Sequence, residues 1–149
     1  MANAKISALP IATELQGSEL IATVQSGDTK QTTVSKFKNY FVSTSITAQD
    51  TDNIDLSSSI YDNTFLFKIS WSGGNGLAIC NLPSAVLNAN RMIRFISDGT
   101  FEAADHFDIT PSGGQTLDGS SNAYRINKSY EGVAIWSDGV EWFIIQKKA

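Results

Sequence analysis

Gly132-Val-Ala-Ile-Trp136, then Ser137-Asp138-Gly139, then Glu141-Trp142-Phe-Ile-Ile145 is the stretch that decides the fold class. Two runs of β-branched and aromatic residues flank an Asp-Gly turn, and glycine takes up the positive φ of a tight turn without steric strain. The stretch predicts a closing hairpin built to pack. Alternation alone leaves Trp136 and Trp142 either facing each other across it or standing on its two faces.

The pattern extends upstream. Phe65, Phe67, Ile69 and Trp71 recur at period two, opposite Leu66, Lys68 and Ser70, as in a half-buried strand. Further strands are predicted over 76–82, 91–97, 107–110, 124–128, 133–137 and 142–146. Breaks fall at Gly99, Gly113-Gly114, Gly119 and Gly139. Short strands with glycine punctuation predict an all-β domain over 64–149, a β-sandwich or barrel. Its expected core is Phe65, Phe67, Ile69, Trp71, Trp136 and Trp142. In the last strand Phe143 and Ile145 oppose Trp142 and Ile144, an apolar strand on both faces. That pattern suggests burial by a second sheet and by a neighbouring subunit.

Residues 1–42 read as a separate small unit. Ile6, Leu9, Pro10 and Ile11 form an apolar knot. The runs Leu20–Val24 and Lys30–Val34 predict a hairpin around Ser26-Gly27-Asp28. Ser35 is positioned to cap a short helix carrying Phe37, Tyr40 and Phe41 on one face. A unit of this size buries too little surface to fold alone. Residues 43–63 then hold Asp50, Asp52, Asp55 and Asp62 with no Lys or Arg. Their composition predicts an extended acidic linker.

The chain has 149 residues, 42% of them hydrophobic, enough for one domain with an appendage. Charged residues make up 17%, below the roughly 25% of an ordinary globular chain. Surfaces rich in Ser, Thr, Asn and Gly suit assembly. A formal net charge of −4 without a Lys/Arg cluster argues against nucleic-acid binding. No run approaches the roughly 20 apolar residues of a membrane helix, and no secretory leader opens the chain. A chain made and kept in the cytoplasm, or assembled there into something larger, is therefore expected. Cys80 is the sole cysteine. It lies in the apolar run Leu77-Ala-Ile-Cys80, so a buried hydrophobe is expected.

No catalytic constellation emerges. His106 sits beside Asp105 and Asp108, but no second His or Cys completes a transition-metal site. Asp50, Asp52 and Asp55 lack the central Gly and terminal Glu of a calcium loop. Glu102 with Asp105, or Glu131 with Glu141, has no accompanying cleft signature for glycoside hydrolysis. Gly73-Gly-Asn-Gly76 is followed by no Lys-Ser/Thr and opens no helix, so it is no phosphate loop. No enzyme activity, metal or cofactor is expected. Trp71, Trp136 and Trp142, with Tyr124 and Tyr130, offer the rings of a sugar-binding platform, but aromatics on strands read first as core, which leaves Tyr124 and Tyr130 as the candidate glycan contacts.

Two stretches resemble bacteriophage virion proteins. Ile6-Ser-Ala-Leu-Pro10, the Gly17-Ser-Glu-Leu20 strand start and Thr29-Lys-Gln-Thr-Thr-Val34 resemble the N-terminal module of phage fibre and head-decoration proteins. Asn81-Leu-Pro-Ser-Ala85, Arg91-Met-Ile-Arg-Phe95, Ile109-Thr-Pro, Gly113-Gly-x-Thr-Leu-Asp-Gly119 and Ser129-Tyr-Glu-Gly-Val133, with the closing hairpin, are similar to β domains of tail and head fibres. The resemblance implies a homotrimer, docked through its first segment to the major capsid protein or another virion structural protein. Ile6, Leu9, Pro10, Ile11, Leu20, Val24, Val34 and Phe37 are the implied docking residues. The β domain would be held outward on the virion surface. The chain lacks the long shaft of most tail fibres, which favours a short head fibre or capsid decoration. The alternative is a tail-fibre adhesin that binds a host surface glycan.

Overall fold

The computed structural model describes residues 20–25, 28–33 and 42–149. It divides into two compact units, Met1–Asn39 and Tyr40–Ala149. In the first, β1 (Leu20–Gln25) and β2 (Asp28–Thr33) pair antiparallel, from Leu20 opposite Thr33 to Gln25 opposite Asp28. The docking candidates Ile6, Leu9, Pro10, Ile11, Val34 and Phe37, and the short helix predicted after Ser35, lie outside the described residues. For Leu20 and Val24 only the backbone is described.

The second unit is mostly β. Its strands are β3 (Val42–Ala48), β4 (Asn53–Asp55), β5 (Thr64–Trp71), β6 (Gly76–Asn81), β7 (Met92–Ser97), β8 (Asp105–Thr110), β9 (Tyr124–Ile126), β10 (Gly132–Ser137) and β11 (Trp142–Lys148). They form a five-stranded sheet, β11-β10-β7-β5-β3, and a four-stranded sheet, β4-β6-β8-β9. Neither sheet closes into a barrel.

The chain alternates between the sheets as it advances. β3, β5 and β7 stack parallel in one, and β4, β6 and β8 stack parallel in the other. Parallel neighbours need a crossover; here the crossover is a strand of the opposite sheet, so three coils rise side by side. Antiparallel β9, β10 and β11 finish the stack. Period-two side chains then fall into ladders. Thr44, Phe67, Phe95 and Val133 align across one sheet, and Ile54, Cys80, Ile109 and Tyr124 across the other. Phe67 and Phe95 stack with centroids 5.4 Å apart, and Phe95 meets Phe107 of the other sheet at 6.5 Å. Phe67, Ile69, Ile93, Phe107, Ile109, Ile135 and Trp142 sit fully buried in this shared core.

Three expectations change. The acidic linker over 43–63 is instead the first coil, with β3 and β4 in the sheets and Ile46, Ala48 and Leu56 buried. Three of its aspartates accept backbone N–H groups: Asp52 that of Gln49 and Asp55 that of Ser57 within local turns, and Asp50 that of Leu77 on β6. Phe65 is half-buried rather than in the main core, because it is the extra residue of a bulge. Val42 pairs with Thr64 and Ser43 with Leu66, and the buried position passes to Thr64. Trp136 lies outside the core. Ser137 pairs with Trp142 and Trp136 with Phe143, so the two indoles stand on opposite faces of the hairpin.

Candidate ligand-binding face

The outer face of the five-stranded sheet is built by register. In one row Lys148 lies opposite Gly132, which lies opposite Ile96, which neighbours Lys68. In the next, Gln146, Ala134, Arg94 and Leu66 align. In the third, Phe143, Trp136 and Met92 align. Gly132 and Ala134 carry almost no side chain, so a groove of about 270 Å³ opens above them. Leu66, Arg94 and Ile96 flank it on one side and Gln146 and Lys148 on the other.

Gly132 is required there. A Cβ at this position would lie 2.6 Å from the Phe95 carbonyl oxygen. Arg94 Nη2 donates to Gln146 Oε1 at 3.3 Å. Lys68 Nζ pairs with Asp98 at 3.2 Å. Among the described residues no carboxylate side chain lines the groove. Trp136 and Phe143, both half-buried, meet with ring centroids 6.1 Å apart in the adjoining row.

Sequence parity places Ile145 and Lys147 beside Phe143. A bulge between Ala134 and Ile135 makes Ile145 the extra residue of β11. Gln146 and Lys148 therefore take the groove positions, and parity alone could not find them. The small-small-large series Gly132, Ala134, Trp136 was the one legible signal.

The glycan candidates separate. Tyr124 is half-buried on β9 against the core, with Lys147 Nζ 5.4 Å from its ring centroid. Burial, then the charge of Glu131, pushes its phenol pKa up. Tyr130 is exposed, at φ 64°, just before β10. Its hydroxyl lies over Gly99, where a Cβ would come within 2.6 Å. The structure does not bring the two together into one platform.

At one end of the domain a second surface gathers. The single-turn helices Ser59–Tyr61 and Val86–Asn88 and the β10–β11 turn meet there. Arg91 Nη2 donates to the Tyr61 carbonyl at 2.6 Å, and Ser137 Oγ to the Ala85 carbonyl at 2.9 Å. A Cβ on Gly139 would touch Ala89 at 3.1 Å. This end exposes Ile60 (74%), Val86 (60%), Leu87 (85%) and Val140 (69%).

The acidic candidates are engaged elsewhere. Asp108 takes a two-pronged ion pair from Arg125, at 2.7 and 2.8 Å. Glu131 accepts the N–H groups of Asn127 and Lys128, and Glu141 bonds the Thr116 hydroxyl. Asp105 is buried, one oxygen accepting the Glu102 N–H at 2.7 Å. Half-buried His106 faces away from the core on β8. Among the described residues no three His, Cys, Asp or Glu converge to hold a metal, and no helix is long and apolar enough to cross a membrane. No protein-family model matches the chain, and no curated protein matches it significantly in sequence.

Proposed function

We propose that this is a phage virion structural protein, a short trimeric fibre or capsid decoration. Its N-terminal segment 1–42 docks on the major capsid protein or another virion protein, and its two-sheet sandwich is displayed outward. The observation that carries the assembly reading is the exposed apolar end formed by Ile60, Val86, Leu87 and Val140. Apolar area of this kind is stabilising, at about 25 cal/mol per Å², only once covered. Light scattering on the full chain at micromolar concentration tests the assembly; a trimer mass is expected and a monomer mass overturns it. A mass-spectrometric inventory of purified virions tests the location.

One observation favours a second reading, a glycan-binding adhesin: the Trp136–Phe143 pair beside a groove floored by Gly132 and Ala134. A glycan array on the full chain decides it.

A further inference from the structure

We infer that the outer face of β7, β10 and β11 binds a carboxylate-bearing oligosaccharide, with Arg94 and Lys148 taking the carboxylates and Trp136 a sugar ring. This deepens the adhesin reading and rests on it. Arg94 and Lys148 bring two cations to the groove, and among the described residues no acidic side chain lines it. Arg94 makes one bond, to the neutral Gln146, so its guanidinium keeps donors for a ligand. Trp136 follows Ala134 by two residues on the same strand face, roughly 6.6 Å along β10. Cations and an indole therefore lie on one sheet face in successive rows: Lys148 beside Gly132 and Ile96, Arg94 beside Ala134, then Trp136.

The same geometry selects among anionic ligands. An extended acidic peptide recognises a sheet through a free strand edge and its main-chain groups. β7 and β10 are paired on both sides and β11 alone of the three is a sheet edge; the groove itself sits over β10, between Arg94 and Gln146, where the face offers side chains alone. Two cations in a chain of net charge −4 are too few to neutralise a nucleic-acid backbone. A sugar ring presents one apolar face to an aromatic ring, and a uronate adds a planar carboxylate that matches the guanidinium fork.

The test titrates the full chain with tri-galacturonate, with maltotriose as the neutral counterpart and with a Glu-rich peptide, by calorimetry and tryptophan fluorescence. Tri-galacturonate is expected to bind about ten-fold or more tighter than maltotriose, since each charge-assisted bond contributes about that factor. Added salt should weaken it. Arg94→Gln and Trp136→Leu should each reduce the affinity while melting stays close to that of the parent. Equal affinity for both sugars, or an unchanged Arg94→Gln, overturns the carboxylate assignment while leaving an adhesin. Binding to neither sugar overturns the carboxylate-saccharide assignment, and the glycan array then decides the adhesin reading by itself. Tighter binding of the peptide, lost in Arg94→Gln, assigns the face to protein and overturns the saccharide.

Discussion

Trp142 donates its indole N–H to the carbonyl oxygen of Pro83, 3.1 Å away, and both groups are buried. The bond ties the last strand to the loop between β6 and β7. It also gives the largest core side chain its polar partner, as a buried tryptophan needs. Trp142→Ala removes the ring and leaves the Pro83 carbonyl unsatisfied. The expected loss is about 3–5 kcal/mol out of a total of about 5–15. Trp142→Phe keeps most of the packing and should lose about 1–3 kcal/mol. Trp136→Ala, on the other face, should cost less than either. Urea titrations of the three variants check the order, and a Trp136→Ala loss equal to that of Trp142→Ala would contradict it.

Two glycines separate backbone need from permissiveness. At Gly132 a Cβ would meet the Phe95 carbonyl at 2.6 Å, inside a paired strand. Gly132→Ala must push β10 away from β7 and is expected to destabilise by about 1–3 kcal/mol. At Gly74 a Cβ meets nothing within 4 Å. Gly74→Ala is expected to be neutral or to stabilise by up to about 1 kcal/mol, by restricting the unfolded chain. Thermal melts of the pair give opposite signs or zero against a clear loss.

Cys80 is fully buried in the Ile54–Cys80–Ile109 ladder. Burial first, and the nearby charge of Asp55 second, push its thiol pKa up. Native protein should react with a maleimide only as fast as it unfolds, and denaturant should expose the thiol at once. Because the folded pKa exceeds the unfolded one, the contribution of the neutral thiol is complete below the unfolded pKa. It is lost as pH rises above that value, so wild type should lose stability at alkaline pH faster than Cys80→Ala. Labelling rates independent of stability would refute the burial.

Asp98 works in the opposite direction. Its carboxylate accepts from the Ser70 hydroxyl at 2.6 Å, from the Thr100 hydroxyl and N–H, and from Lys68 Nζ at 3.2 Å. The Ser70 bond first and the Thr100 hydroxyl next hold its pKa well below the carboxylate range. Thr100 in turn accepts the Trp71 N–H at 2.6 Å, so Asp98 braces the end of β5. A depressed pKa stabilises above the unfolded value, about 3.9, and the effect is lost as pH falls through the folded value. Asp98→Asn should melt lower than wild type at neutral pH, and the gap should close as pH drops below that point. A constant gap down to strongly acid pH would rule out the charge as its source.

What the sequence showed, and what it hid, follows from range. Phe67, Ile69 and Trp71 could be placed in the core because period two is local, and the Asp138-Gly139 turn fixed the last hairpin. The bulges at Phe65 and Ile145 were hidden, since each depends on the strand opposite. So was the coil: Ile46 stacks on Ile69 and Ile69 on Ser97, pairings set across separate turns of chain. Ser43, Ser45 and Thr47 face outward on β3, and their polarity disguised a strand as a linker. The groove inherits both difficulties, because Arg94, Gln146 and Lys148 meet only through register.

The first coil supplies the sharpest test of the architecture. β3 contributes Ile46 and Ala48 to the core, Leu56 just after β4 joins them, and the two strands cover the edges of β5 and β6. A fragment of residues 40–149 keeps every ladder of the second unit and should melt cooperatively. A fragment of residues 60–149, cut inside the stretch that composition reads as a linker, loses those three side chains and bares two parallel edges. Each lost large aliphatic typically costs about 2–5 kcal/mol, and exposed edges invite aggregation. The shorter fragment should therefore show no cooperative transition, or precipitate. If docking lies in the N-terminal segment, the longer fragment should fold yet be missing from virions. A cooperative melt of residues 60–149 matching that of 40–149 would mean that the first coil is dispensable and that 43–63 is a linker after all.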